Sequence, residues 1–165
     1  MGQGLIWGIW LEQDVSGLEN LPVLVVDDNR HACRLLTTIL GAISQAEIKA
    51  CTCPTEAYKI LLDWQPGMII TDFQMRPVDG LAFARELRSN PKYGFQLKPI
   101  LLMTGETPNR ELVERVKAAG VDTMVTKPIV PETLLNRMLW SVEQARGRVG
   151  EAARHDSEKD VWVVD

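Results

Sequence analysis

Two adjacent acidic residues stand directly after a short apolar run. The segment PVLVVDDNR, residues 22–30, passes from four apolar residues into Asp27 and Asp28. Adjacent carboxylates repel each other, and burial beside an apolar strand makes their ionised forms more costly. One interpretation is that an Asp or Asn29 only caps a helix that begins after Asn29. A cap uses one acceptor side chain, so it does not explain two acids and an Asn together.

Other polar side chains follow apolar runs in the same way. Asp72, Thr104 and Lys127 each come directly after a short apolar segment later in the chain. Because the carboxyl ends of parallel strands share one edge of a sheet, these side chains can converge with Asp27 and Asp28. Three clustered carboxylates suit a hard cation such as Mg²⁺, which prefers oxygen ligands. The sequence therefore predicts a metal site at one sheet edge.

The elements that must position these residues alternate along the chain. Short apolar runs alternate with segments of helical period, which is typical of a parallel sheet covered by helices on both faces. The predicted strands are VLVV (23–26), EIKAC (47–51), MIIT (68–71), ILLM (100–103) and TMVT (123–126). The first of five predicted helices carries a core-facing stripe of Ala32, Leu35, Leu36, Ile39, Leu40 and Ile43. This pattern indicates an α/β domain of the (βα)5 type.

Composition excludes several classes of protein. The 165 residues suit one domain, predicted at 21–146, with an N-terminal extension at 1–20 and a C-terminal tail at 147–165. The net charge of -4 argues against a general affinity for nucleic acid or anionic membrane. Three cysteines without CxxC spacing support neither a disulfide framework nor a zinc site. Without a disulfide framework, we expect a protein of the reducing cytoplasm. No segment of the sequence reaches membrane-spanning length.

Four motifs in order indicate a family. VLVVDDN, MIITDFQM followed by DG, LLMTGE and VTKPI occur in this sequence with separations that are specific as a set. Over roughly residues 21–146 the chain resembles the receiver domain of bacterial response regulators, the CheY-like family. The resemblance implies a flavodoxin-like, doubly wound (βα)5 parallel sheet with strand order 2-1-3-4-5.

For the acidic residues, the resemblance implies a phosphorylation site. Asp72 matches the phosphoryl acceptor, which attacks a phosphohistidine of a partner kinase to form an acyl phosphate. Asp28, with help from Asp27, matches the acid that holds Mg²⁺ along with the backbone carbonyl of Gln74. Phosphoryl transfer needs charge neutralisation and alignment rather than a strong base, and a metal with one lysine supplies both. By family geometry, Gln74 and Glu106 flank the path of water to the acyl phosphate.

The remaining matches concern the response to phosphate. Thr104 matches the hydroxyl that turns inward to bond a phosphoryl oxygen, and Lys127 matches the cation that pairs with the phosphoryl group. The resemblance also implies a cis peptide before Pro128. Met124 stands where the family commonly has Tyr or Phe, so we expect weaker coupling between Thr104 and the switch position at 124.

A second departure from the family lies just after Asp72. The family usually follows its Met with Pro, whereas here Arg76 intervenes before Pro77. We expect the loop to bend differently and to present an extra cation beside the site.

These matches favour a stand-alone receiver, since no DNA-binding or catalytic domain follows the fifth helix. Its expected partners are a histidine kinase or histidine phosphotransfer protein and a downstream target protein, with no nucleic acid and no membrane. The chain itself is expected to be a monomer or weak homodimer.

A phosphorelay shuttle or phosphate sink is the alternative within signalling. A Mg²⁺-dependent phosphohydrolase with an aspartyl intermediate is an alternative from another class, although such enzymes usually carry a DxD nucleophile after the first strand and a cap domain. A binding module that has lost phosphorylation is disfavoured because every site residue is present.

Apolar residues outside the predicted site suggest contact surfaces. Trp140 falls off the apolar stripe of the last helix, so with residues 109–119 it is a candidate contact for a partner. Trp7, Trp10 and Trp162 lie in the extensions. We expect these short segments to dock on the receiver, on a partner or on a second copy, with frayed tails as the alternative.

Overall fold

Parallel strands form one sheet at the centre of the molecule. The computed structural model describes residues 14–160, with side chains described as far as residue 152. The strands are β1 (Val23–Val26), β2 (Ile48–Cys51), β3 (Met68–Asp72), β4 (Ile100–Thr104) and β5 (Thr123–Thr126). They lie in the order β2-β1-β3-β4-β5, and each neighbouring pair is parallel. The predicted flavodoxin-like α/β fold and its strand order are confirmed.

Helices cover both faces of the sheet. They are α1 (Arg30–Gly41), α2 (Pro54–Asp63), α3 (Gly80–Ser89), α4 (Arg110–Ala118) and α5 (Pro131–Asp160), with a 3-10 turn at Pro91–Tyr93. Successive strand residues point to opposite faces. Leu24 therefore packs with side chains of α2, α3 and α4, and Val25 packs with side chains of α1 and α5. The strands β1, β3 and β4 are buried throughout, as expected for a parallel sheet between two helical layers.

Several element boundaries differ from those predicted. Asp72 and Thr104 are the last residues of β3 and β4 rather than the residues after them, because the parallel ladder pairs Asp72 with Met103 and Thr104 with Thr126. In α1, Leu35 is 52% exposed, so its predicted place in the core stripe is wrong. The buried positions of this helix are Cys33, Leu36 and Leu40.

Residues on both sides of the predicted 21–146 domain pack against it. Leu18 is fully buried in the core between α1 and α5. Helix α5 has 30 residues, a length of about 45 Å, and so continues past Arg146. The bounds 21 and 146 themselves stay a prediction. The predictions for Trp7, Trp10 and Trp162 lie outside the described residues.

A buried polar network ties the elements together at the amino edge of the sheet. The Asp122 carboxylate accepts a hydrogen bond from the Ile100 backbone N–H at 2.8 Å and pairs with Arg88 at 3.1 Å and with Arg148. Arg88 also donates to the carbonyl oxygens of Phe95 and Lys98, both at 2.6 Å. The side chain of Asp122 is 5% exposed, and these partners satisfy its buried charge.

The length and hydropathy of the described helices were compared with those of membrane-spanning helices. Within residues 14–160, none is both long enough and apolar enough to cross a bilayer.

Candidate functional site

Three carboxylates meet at the carboxyl edge of the sheet. Asp27 follows β1 and Asp72 ends β3, and these strands are neighbours in the sheet. One carboxylate oxygen from each of Asp27, Asp28 and Asp72 lies within 4.8 Å of the other two. Asp27 and Asp72 are buried, whereas Asp28 is exposed to solvent. The fold thus brings together the three acids that the sequence predicted to converge.

Helix capping does not occupy these acids. The side chain of Asn29 caps α1 and accepts hydrogen bonds from the backbone N–H groups of His31 and Ala32. Asp27 Oδ1 accepts a hydrogen bond from the Asn29 N–H at 2.9 Å, which leaves Oδ2 facing the cluster. Asn29 is therefore the residue that caps α1, and neither Asp27 nor Asp28 serves as the helix cap.

A lysine bridges two of the acids. Lys127 Nζ lies 3.0 Å from Asp27 Oδ2 and 2.9 Å from Asp72 Oδ1. Its backbone N–H donates to the carbonyl oxygen of Thr104 at 2.7 Å, which holds the end of β5 against β4. Both the Lys127–Pro128 and the Arg76–Pro77 peptide bonds are cis, and Arg76 is exposed.

The electrostatics of the cluster favour an added cation. Burial raises the pKa of Asp72 above its ordinary value, the hydrogen bond from Lys127 opposes this shift, and the charge of Asp27 reinforces it. Burial alone lowers the pKa of Lys127, but the hydrogen bonds and charges of Asp72 and Asp27 raise it overall. One ammonium faces three carboxylates, so the cluster keeps excess negative charge. Because its donors are all oxygens, the set fits a hard divalent cation such as Mg²⁺.

The loops after β3 and β4 contact each other. Thr104 is fully buried, and its Oγ1 accepts a hydrogen bond from the Glu106 N–H at 3.0 Å. Gln74 Nε2 donates to Glu106 Oε1 at 3.1 Å, and both side chains are exposed. A hydrogen bond thus joins the loop that follows Asp72 to the loop that follows Thr104.

Gly80 also shapes the site, although it was not among the predicted site residues. A Cβ atom on Gly80 would lie 2.3 Å from the backbone oxygen of Asp72. The Gly80 N–H donates to the Phe73 carbonyl oxygen at 2.8 Å, so the start of α3 packs directly on the backbone of β3. The DG pair after MIITDFQM is the sequence signal for this close approach, because glycine permits it.

The face formed by α4, β5 and α5 contains a groove of about 550 Å³. Met124 lines it and is partly buried against the core on the α2, α3 and α4 side of the sheet. Val130 also lines the groove and is 53% exposed. Trp140 is 47% exposed, in agreement with its predicted position off the apolar stripe, but it lies outside the groove lining.

Comparison with known proteins identifies the class of protein that this fold and site define. The profile of the response regulator receiver domain family matches residues 23–139, more than half of the chain. The chain therefore belongs to the response regulator receiver domain family. Receiver domains of this type interact with histidine kinases and downstream effectors, bind Mg²⁺ at an acidic pocket and are generally not enzymes.

Particular relatives are CheY-like chemotaxis proteins. The chain is 28% identical over 120 residues to the probable chemotaxis protein CheY of Rhizobium etli. The aligned region covers 73% of this chain and 91% of that protein. It is 27% identical over 119 residues to a CheY homologue of Campylobacter jejuni, covering 72% of this chain and 89% of that protein. The solved structure of CheY4 from Vibrio cholerae superposes with a TM-score of 0.67 at 29% identity, covering 74% of this chain and 98% of CheY4. This protein is thus a CheY-like receiver of a two-component system.

Proposed function

We propose that Asp72 accepts a phosphoryl group from a phosphohistidine of a histidine kinase or a histidine phosphotransfer protein. A carboxylate oxygen of Asp72 attacks phosphorus, the new P–O bond forms, and the P–N bond breaks with its electron pair returning to the imidazole. The observation that carries this assignment is the Lys127 bridge to Asp27 and Asp72 beside a third carboxylate. Of the three acids, Asp72 is the one that ends a central strand, two residues before Gln74, whose side chain is hydrogen-bonded to Glu106.

Charge neutralisation is the main demand of this reaction. The phosphoryl group arrives with negative charge at a site that already holds three carboxylates. Asp27, Asp28 and the backbone carbonyl of Gln74 would hold Mg²⁺ together with Asp72. When bound, Mg²⁺ neutralises charge on the transferring phosphoryl oxygens. Lys127 stays near Asp72 and pairs with the phosphoryl group, which replaces part of its present contact with the carboxylate.

The response begins at Thr104. Its hydroxyl now accepts a hydrogen bond from the Glu106 N–H, and this bond is lost when the hydroxyl turns toward a phosphoryl oxygen. Residues 105–108 must then find a new arrangement. Met124 has no ring or hydroxyl, so its inward and outward states differ little in buried area and specific contacts. We expect phosphorylation to move Thr104 and residues 105–108 more than Met124.

The output is recognition by a downstream protein. Residues 109–119 and Trp140 are the surface proposed for this contact. Residues 109–119 directly follow the loop expected to move, and Trp140 offers an exposed aromatic side chain. The chain is proposed to act as a monomer or weak homodimer. Rapid return of label from Asp72 to a histidine phosphotransfer protein would instead assign it to a phosphorelay.

The test is phosphoryl labelling of matched variants. The unmodified chain should take label from a histidine kinase or from acetyl phosphate in the presence of Mg²⁺, and EDTA should prevent it. Asp72→Asn should take none, while Asp63→Asn, at an exposed carboxylate at the end of α2, should label normally. Alkali-labile label that persists in the Asp72→Asn protein would show that the acceptor is another residue.

Amide chemical shifts with and without a phosphoryl mimic test the proposed response. The largest changes should occur at Thr104 and residues 105–108. Changes centred on Met124 with an unaffected loop would contradict this.

A further inference from the structure

A second groove lies at the amino edge of the sheet, opposite the acidic cluster. It encloses about 300 Å³ between α5 and the segments that lead into β1, β3 and β4. Its apolar lining comes from Leu21, Leu97, Pro99, Val142, Ala145 and Val149. Leu97 is 37% exposed and Val149 is 53% exposed, so apolar surface is left open to solvent here. Lys98 and Arg146 also line the groove and supply positive charge.

The groove has firmly held walls. Arg148 on α5 donates from Nη2 to the Leu97 carbonyl oxygen at 3.0 Å and pairs with the buried Asp122 carboxylate. These contacts fasten the part of α5 beyond Arg146 to the loop before β4. The walls of the groove are therefore held together by contacts between residues of α5, the loop before β4 and Asp122.

We propose that residues 5–11 of this chain, LIWGIWL, occupy this groove. The described part of the chain begins beside it. A Cβ atom on Gly17 would lie 3.8 Å from Leu139 Cδ2 and 4.0 Å from Arg146 Nη2, and Arg146 is one of the groove residues. Leu11 is only six residues before Gly17, a span of at most about 20 Å in extended chain. The groove is thus within reach of the segment.

The composition of residues 5–11 also matches the lining of the groove. Apart from Gly8, every residue of 5–11 is apolar, and two of them are tryptophans. Within residues 1–13, Glu12 is the one side chain with a formal charge, and its sign is opposite to that of the groove cations. A volume of about 300 Å³ is on the scale of inserted side chains rather than of a whole helix, whose diameter is about 10–12 Å. Trp7 and Trp10 are the side chains with the largest apolar area to bury.

The first experiment compares amide chemical shifts of the full chain with those of the full chain carrying Trp7→Ser and Trp10→Ser. Occupation of the groove predicts shift changes at Leu97, Val142 and Val149, and none in the α4, β5 and α5 groove at Val113. Absence of changes at the amino-edge groove, or changes located elsewhere, would overturn the proposal.

A reciprocal experiment alters the groove and keeps the segment intact. Val149→Glu should release residues 5–11, so their ¹H–¹⁵N nuclear Overhauser effects fall to the values of a free chain. Val130→Glu is the matched control, since Val130 is also 53% exposed but lies in the other groove. Equal effects of the two substitutions, or none from Val149→Glu, would refute docking in this groove.

Sedimentation distinguishes the chain's own segment from that of a second copy. The full chain and the Trp7→Ser, Trp10→Ser variant should both sediment as one chain. A dimer that dissociates in the variant would place the segment in the groove of a neighbouring copy and overturn the assignment.

Discussion

Without divalent cations, replacing Asp72 by Asn should make the protein more stable at neutral pH. The reason is that Asp72 is nearly fully buried and shares its surroundings with two other carboxylates and one lysine. Its charge serves the proposed chemistry at a cost to folding stability. Asparagine keeps the shape of the side chain and removes the charge.

The size of the effect follows from the distances. At an effective dielectric constant of about 20, Lys127 at 2.9 Å attracts the Asp72 carboxylate by about 6 kcal/mol. Asp27, within 4.8 Å, repels it by at least about 3.5 kcal/mol, and the exposed Asp28 adds about 1 kcal/mol through water. The small remaining attraction does not offset the removal of a carboxylate from water, which costs several kcal/mol. We expect Asp72→Asn to add about 1–2 kcal/mol, or about 2–8 °C in Tm for a chain of this size.

The pH dependence has a definite sign. Because the pKa of Asp72 is raised in the folded state, the folded protein binds more protons than the unfolded one between the two pKa values. The stability contributed by Asp72 therefore falls as the pH rises through that window. The advantage of Asp72→Asn should be present at pH 7 and should shrink toward pH 4.

The assay is urea unfolding at both pH values in EDTA, repeated with Mg²⁺. Mg²⁺ at ten times its Kd should stabilise the unmodified chain by about 1.4 kcal/mol and stabilise Asp72→Asn less. Asp63→Asn, at an exposed carboxylate, is the control and should stay within about 0.5 kcal/mol. If Asp72→Asn is less stable than the unmodified chain in EDTA at pH 7, the electrostatic reasoning is wrong.

Three further predictions concern the supports of the site and the fold. Asp122→Ala should cost about 3–5 kcal/mol in urea unfolding, because it leaves two arginines and a backbone N–H without their shared carboxylate; a loss under about 1 kcal/mol would contradict the network's importance. Exchanging Gln74 and Glu106 for Ala together removes the hydrogen bond between the two loops and should shorten the half-life of the acyl phosphate several-fold, measured as phosphate release. An unchanged half-life would remove both from the mechanism. Gly80→Ala should lower the free energy of unfolding by about 1–3 kcal/mol and slow labelling, because its Cβ would lie 2.3 Å from the Asp72 backbone oxygen. Normal stability and labelling would show that the backbone shifts there without cost.

Local patterns in the sequence were sufficient to predict a parallel α/β sheet, whereas the strand order was implied by the family resemblance. The apolar runs at 23–26 and 123–126 are strands over those same residues, and the alternation of runs and helical segments yields the parallel sheet. The convergence of Asp27, Asp28 and Asp72 followed from the same logic, since parallel strands present their carboxyl ends together. These features could be read from the chain because they depend on periods of two and 3.6 residues and on one general rule of sheet geometry.

Tertiary structure decided which atoms meet. Lys127 bridges Asp27 across 100 residues of sequence, and no local pattern specifies that pairing. The order of the apolar residues in α1 placed Leu35 in the core, whereas the way α1 packs on the sheet buries Cys33 and leaves Leu35 at 52% exposure. The sequence also carried no signal for the network of Arg88, Asp122 and Arg148, because it joins α3, α5 and the residue before β5, which are far apart in the chain. Such contacts are determined by how whole helices and strands pack together. That packing depends on all of their side chains at once rather than on the residues nearest in sequence.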